Sequence, residues 1–179
     1  MRWQLGRGGK VVRLHSGASP ALSSPCDRCV SVPLWCGRGA VRLPGMYSVT
    51  KRIDFCYGHR LLDYDGVCKH PHGHNAVAEI EVQTDALDTR NMVVDFSDIK
   101  RVVKGWIDRE LDHKMILRGD DPLVKPLQAL GEPVYIIDSN PTVERLARLV
   151  FDIAHEQGLP VVRVTIWETP TSWATYTGA

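Results

Sequence analysis

Four of the chain's seven histidines and two of its five cysteines fall within residues 56–75, CYGHRLLDYDGVCKHPHGHN. His59, followed by His72-Gly73-His74, is a metal-ligand pattern. Zinc takes neutral imidazoles, and a catalytic zinc holds three protein ligands and keeps a fourth position open. Cys68 stands four residues before His72. A thiol beside a divalent cation is either a base or nucleophile of lowered pKa, or a fourth ligand that closes the site; spacing leaves both open. His70 shares the parity of His72 and His74 and competes as a ligand, with Pro71 leaving its direction open. Two acidic positions stand out further along. Asp112-His113 ends a helical stretch, either as a dipole partner of that helix or as an acid–base pair in which the aspartate orients the imidazole. Glu168 falls on the apolar phase of a strand, either paired or ready to bind a polar ligand group, or reaching solvent at the strand's end.

For the three histidines to meet, the segments that carry them must be strands of one hairpin. Val49, Ile53, Phe55, Tyr57 and Leu61 alternate from Ser48 onward, and His59 shares their phase. Ala76, Ala78, Ile80 and Val82 alternate in the next strand, with His72 and His74 on the same phase. Residues two apart on a strand share a face, so a hairpin of these strands places His59 beside the other two. Cys56 has the opposite phase and reads as packing. Residues 92–96 read as a short strand or approach segment. A helix capped by Ser97 runs to about Leu111 on the stripe Ile99, Val102, Val103, Trp106, Ile107 and Leu111. A short helical turn is expected near 122–130 and a strand at 134–137. Asn140-Pro141 is a helix start signal, followed by the stripe Val143, Leu146, Ala147, Val150, Ile153 and Ala154, and by Gly158 and Pro160 as a stop. Strands at 161–168 and 173–176 complete an order that predicts an α+β fold: an antiparallel four-stranded sheet with two helices packed on one face.

Residues 1–45 differ from the rest. They hold seven Lys/Arg against Asp27 alone, a charge of +6, whereas residues 46–179 sum to −5. The mildly acidic main body argues against nucleic acid as a partner. Cys26, Cys29 and Cys36 are three loosely spaced candidate metal ligands without a nearby fourth. The segment otherwise reads as a disordered extension, or as the result of a mis-called start with Met46 as the initiator. No apolar run reaches transmembrane length, so no membrane partner is expected. An odd number of cysteines without a disulfide framework points to a reducing cytoplasm.

Taken in order, Phe55-Cys56-x-Gly58-His59-Arg60-Leu61, Cys68-x-x-x-His72-Gly73-His74-Asn75, Val94-Asp95-Phe96-Ser97, Leu111-Asp112-His113, Asn140-Pro141-Thr142-x-Glu144 and Trp167-Glu168-Thr169 resemble the 6-pyruvoyltetrahydropterin synthase family. The resemblance covers residues from about 47 to 177. The spacing Cys68-x3-His72 is similar to the bacterial 6-carboxytetrahydropterin synthases of queuosine biosynthesis. It implies the tunnelling fold (T-fold), Zn2+ held by His59, His72 and His74, catalysis by Cys68 with Asp112 and His113, and Glu168 anchoring the pterin ring. It also implies a homohexamer, a dimer of trimers with active sites between subunits. The implied reaction converts 7,8-dihydroneopterin triphosphate to 6-carboxy-5,6,7,8-tetrahydropterin, acetaldehyde and triphosphate. Elimination of triphosphate without carbon–carbon cleavage, giving the 6-pyruvoyl product, is the alternative within the family. A non-catalytic zinc-binding protein is the alternative outside it.

Overall fold

The computed structural model describes residues 45–178. The expectations for Cys26, Cys29 and Cys36, and for residues 1–45 apart from Gly45, lie outside the described residues. Six strands form one sheet: β1 (Tyr47–His59), β2 (His72–Thr84), β3 (Lys114–Arg118), β4 (Val134–Ile137), β5 (Val161–Thr169) and β6 (Ser172–Thr177), in the order β4-β3-β1-β2-β5-β6. The antiparallel part, β1-β2-β5-β6, has the four expected strands. The four-stranded antiparallel sheet is nevertheless incorrect as a whole. β3 pairs with β1, and β4 with β3, both in parallel, which makes the sheet mixed and six-stranded.

The physical reason lies in β3. Ile116 and Leu117 are neighbours and both are fully buried, so both faces of this short strand are covered. Such a strand shows no alternation to read. Helices number three among the described residues rather than two. The first, α1, comprises Phe96–Ile99 and Gly105–Glu110 around a π-helical segment, Lys100–Lys104; α2 is Val124–Ala129 and α3 is Val143–Glu156.

The buried positions of α1 and the residue after it, Ile99, Val103, Ile107 and Leu111, recur every fourth residue. A 3.6-residue helix would rotate that row off the sheet, and the wider π-turn takes up the drift. Asp95, not Ser97, caps this helix, with its carboxylate accepting from the Ser97 N–H at 2.8 Å and the Ser97 hydroxyl at 2.7 Å. Thr142, not Asn140, caps α3, accepting from the Arg145 N–H. The freed Asn140 side chain clasps the backbone of Leu62, accepting from its N–H at 2.9 Å and donating to its carbonyl at 2.8 Å. The side chains of Ile80, Ile99, Ile107, Leu146, Val150 and Ile166, all fully buried, fill the layer between sheet and helices.

The end of β1 is held by an ion pair. Arg60 donates from Nε at 2.7 Å and Nη2 at 2.5 Å to the two oxygens of Asp121, whose side chain is wholly buried. Burial opposes ionisation of Asp121, but the Arg60 guanidinium and the Leu123 N–H outweigh it and hold the carboxyl below its ordinary value. A carboxyl depressed in the folded state stabilises above its unfolded pKa, near 4, and loses that contribution as pH falls through the lower folded value. Asp121→Asn is therefore expected to cost about 2–4 kcal/mol at pH 7, because it leaves a half-covered guanidinium without its charge partner. The cost should shrink below about pH 4. Urea unfolding of both proteins at pH 7 and pH 3 checks this, and an equal penalty at both pH values would refute it.

Candidate active site

The hairpin register fixes the site. Gly58 pairs with Gly73, His59 stands opposite His72, and His74 stands opposite Tyr57. His59 is buried, and His72 and His74 are half-buried at the sheet's end. Their Nε2 atoms converge: His59 lies 3.1 Å from His72 and 3.2 Å from His74. The His59–His72 contact is not a hydrogen bond. His59 Nδ1 donates to the Pro141 carbonyl at 2.7 Å, and His72 Nδ1 donates to the His70 carbonyl at 2.8 Å. With the protons fixed on Nδ1, both Nε2 atoms present lone pairs to each other. Facing lone pairs repel unless a cation lies between them. Tetrahedral zinc with Zn–N of about 2.0–2.1 Å requires N···N edges of about 3.3 Å, so the donor set fits such an ion. Burial pushes the His59 imidazole below its ordinary value, overriding the bond to Pro141, and keeps it neutral as a ligand must be. His70 contributes its carbonyl to the orientation of His72; its own ring is exposed and is not one of the converging imidazoles.

Glu168 reaches the same place from β5. Its Oε1 lies 3.3 Å from His74 Nε2 and 3.6 Å from His59 Nε2. In the β5–β6 ladder Trp167 pairs with Trp173 and Thr169 with Ser172, so Glu168 is skipped in a bulge. A bulge re-aims the side chain it carries. The Tyr57 hydroxyl donates to the same Oε1 at 3.3 Å. Burial first, and then the Glu168 carboxylate, push the Tyr57 phenol far above its ordinary value, so it stays a neutral donor.

Asp112 and His113 form a second cluster with Cys56, which the alternation had marked only as packing. Asp112 accepts from the Cys56 N–H at 2.8 Å, and the His113 N–H donates to the Cys56 carbonyl at 2.8 Å. Asp112 Oδ2 lies 2.9 Å from His113 Nδ1. Burial acts to raise the Asp112 carboxyl, but these donors outweigh it and hold it below its ordinary value. His113 adopts a left-handed backbone, φ 57°, and its side chain is 80% exposed. A cleft of about 580 Å³ has Cys56, Tyr57, His72, His74, Asn75 and His113 among its lining. That is within the usual size range for a small-molecule site. Cys68 belongs to neither cluster. It sits in the 3-10 turn Val67–Lys69 of the β1–β2 connection, a free and partly buried thiol whose carbonyl accepts from the Leu61 N–H at 2.8 Å.

Two contributors were not foreseen. The Tyr57 hydroxyl finds its partner 111 positions away, and nothing local signals that. The Pro141 carbonyl was foreshadowed only by the Asn140-Pro141 motif.

A mixed sheet backed by helices, with three imidazoles and a carboxylate meeting at the end of its central hairpin, defines an α+β domain with a candidate metal centre. Residues 48–179 match the family described as 6-pyruvoyl tetrahydropterin synthase, and the chain belongs to that family. It is 35% identical over 132 residues to a Rickettsia bellii protein named 6-carboxy-5,6,7,8-tetrahydropterin synthase, covering 70% of this chain and 96% of that one. Among solved structures, it is similar to the uncharacterized protein WS1659 from Wolinella succinogenes, with a TM-score of 0.64, 26% identity, and 75% of this chain and 99% of that one covered. The 6-pyruvoyl tetrahydropterin synthase of Caenorhabditis elegans shares the fold at a TM-score of 0.58 and 23% identity, with 75% and 97% covered. No helix of the described residues is long and apolar enough to cross a membrane.

Proposed function

We propose that this protein is a zinc-dependent lyase that converts 7,8-dihydroneopterin triphosphate and one water to 6-carboxy-5,6,7,8-tetrahydropterin, acetaldehyde and triphosphate, through a domain spanning residues 46–179. The observation that carries the reading is the meeting of three Nε2 atoms with the Glu168 carboxylate, in a chain aligned over 96% of a protein so named. His59, His72 and His74 hold the zinc ion; when bound, it acidifies the hydroxyls of the substrate side chain. Glu168, an acceptor-only carboxylate, takes the N–H edge of the pterin ring. Cys68 removes a proton from one face of the side chain as thiolate. His113, whose Nδ1 is held by the ionised Asp112, moves protons on the other face through Nε2.

The same reading extends to a cytoplasmic homohexamer with active sites between subunits. The exposed His113 side chain suits action on a neighbouring subunit, and the free thiols of Cys56 and Cys68 suit a reducing compartment. Incubating the zinc-loaded protein with dihydroneopterin triphosphate, with products read by mass spectrometry, tests the activity. The carboxy product with stoichiometric acetaldehyde is expected. A pyruvoyl product would overturn the assignment of the reaction, and no turnover would overturn the enzyme reading.

A further inference from the structure

Tyr57 is the one residue of the central hairpin that puts a phenol into the core beside the imidazoles. It is 3% exposed. Its ring stacks on Phe55 at 5.6 Å, meets His59 edge-on at 5.2 Å and 74°, and tilts against His74 at 5.8 Å. Packed on three sides, the ring cannot swing, so its hydroxyl has a fixed position. A phenylalanine would fill this space without bringing a polar atom that must be satisfied on burial. The hydroxyl meets that demand by donating to Glu168 Oε1 at 3.3 Å.

The acceptor oxygen is the one nearest the imidazoles. Oε1 approaches His74 and His59 at 3.3 and 3.6 Å, while the convergent group itself comprises only the three histidines. A carboxylate is itself a good zinc ligand. An untethered Glu168 on a bulge would close the open position that the proposed reaction requires. The geometry points to Tyr57 as a positioning residue: its hydroxyl tethers Glu168 Oε1 beside the metal position, not on it, and so keeps the carboxylate available to the N–H edge of a pterin. This inference rests on the reading of Glu168 as the pterin anchor, and it adds the residue that keeps the anchor and the metal apart.

Tyr57→Phe removes the hydroxyl and keeps the ring, so packing is retained. Two readouts follow for the zinc-loaded protein. Neopterin, a pterin without phosphates, should bind about tenfold more weakly, the scale of losing one hydrogen bond to a charged group. Transfer of zinc to a chromogenic chelator should slow several-fold, because Glu168 then falls onto the metal. Glu168→Gln in the Tyr57→Phe background should restore fast transfer, and neopterin affinity in the double variant should equal that of Glu168→Gln alone. If Tyr57→Phe leaves both neopterin affinity and zinc transfer at wild-type values, the proposal is overturned. It is also overturned if zinc transfer slows equally with and without Glu168, since the effect would then be packing alone. If Glu168→Gln binds neopterin as the wild type does, the anchor reading fails by itself. Zinc transfer in Tyr57→Phe then still decides whether the tether exists.

Discussion

A His74→Ala protein is expected to fold, to lose its zinc and to be inactive. The imidazole is partly exposed, with 17% of its side chain accessible, so its removal opens little of the core. Its Nε2 is nevertheless one of three that converge. Structural zinc is worth about 10–16 kcal/mol in all, so losing one ligand from such a set should weaken binding by about 10²–10³-fold. His59→Ala should lose metal equally but fold less well. It deletes a buried ring and leaves the Pro141 carbonyl without its donor, at a cost of about 2–4 kcal/mol. Zinc content after dialysis, measured by mass spectrometry beside thermal melts, separates the two effects. A His74→Ala protein that keeps one tightly bound zinc per chain would remove the basis for the metal site.

Cys68→Ala should do the opposite: full zinc content, an unchanged melt, and a turnover lower by about 10²–10⁴, the range for losing a positioned acid–base group. The thiol stands on a 3-10 turn and is not among the converging ligand atoms. Single-turnover assays on metal-replete protein make the comparison. Loss of zinc together with a lower melting temperature would mean that Cys68 closes the site as a structural ligand, and the catalytic role would fall.

The convergence of His59, His72 and His74 was legible because strand alternation is local. Each imidazole shares a phase with buried neighbours such as Tyr57, Ala76 and Ala78, and hairpin pairing brings the two strands together. The long helix α3 was legible for the same reason, through Leu146, Ala147, Val150 and Ala154. What was hidden depends on distant partners. Cys56 meets Asp112 and His113 because β3 pairs in parallel with β1, and that pairing leaves no mark near Cys56. β3 itself was missed because both its faces are covered. The face of Glu168 was legible, since it keeps the phase of Ile166, which stands opposite Ala78; the bulge beside it was not. Asn140 looked like a helix cap, yet its side chain is committed to Leu62, and Thr142 has the capping role.

His59 and His72 face each other across the last rung of the hairpin, so residues 60–71 form a closed excursion between two ligands. Lengthening or shortening that excursion ahead of His70, whose carbonyl orients His72, leaves both imidazoles where the ladder puts them and changes what the loop presents. Cys68 lies within it. On the proposed reading, the metal and the thiol would thus be separately adjustable: the sheet would set the first and loop length the second. In such a site, the position from which a proton is removed would change with the length of this loop, with no change to a strand.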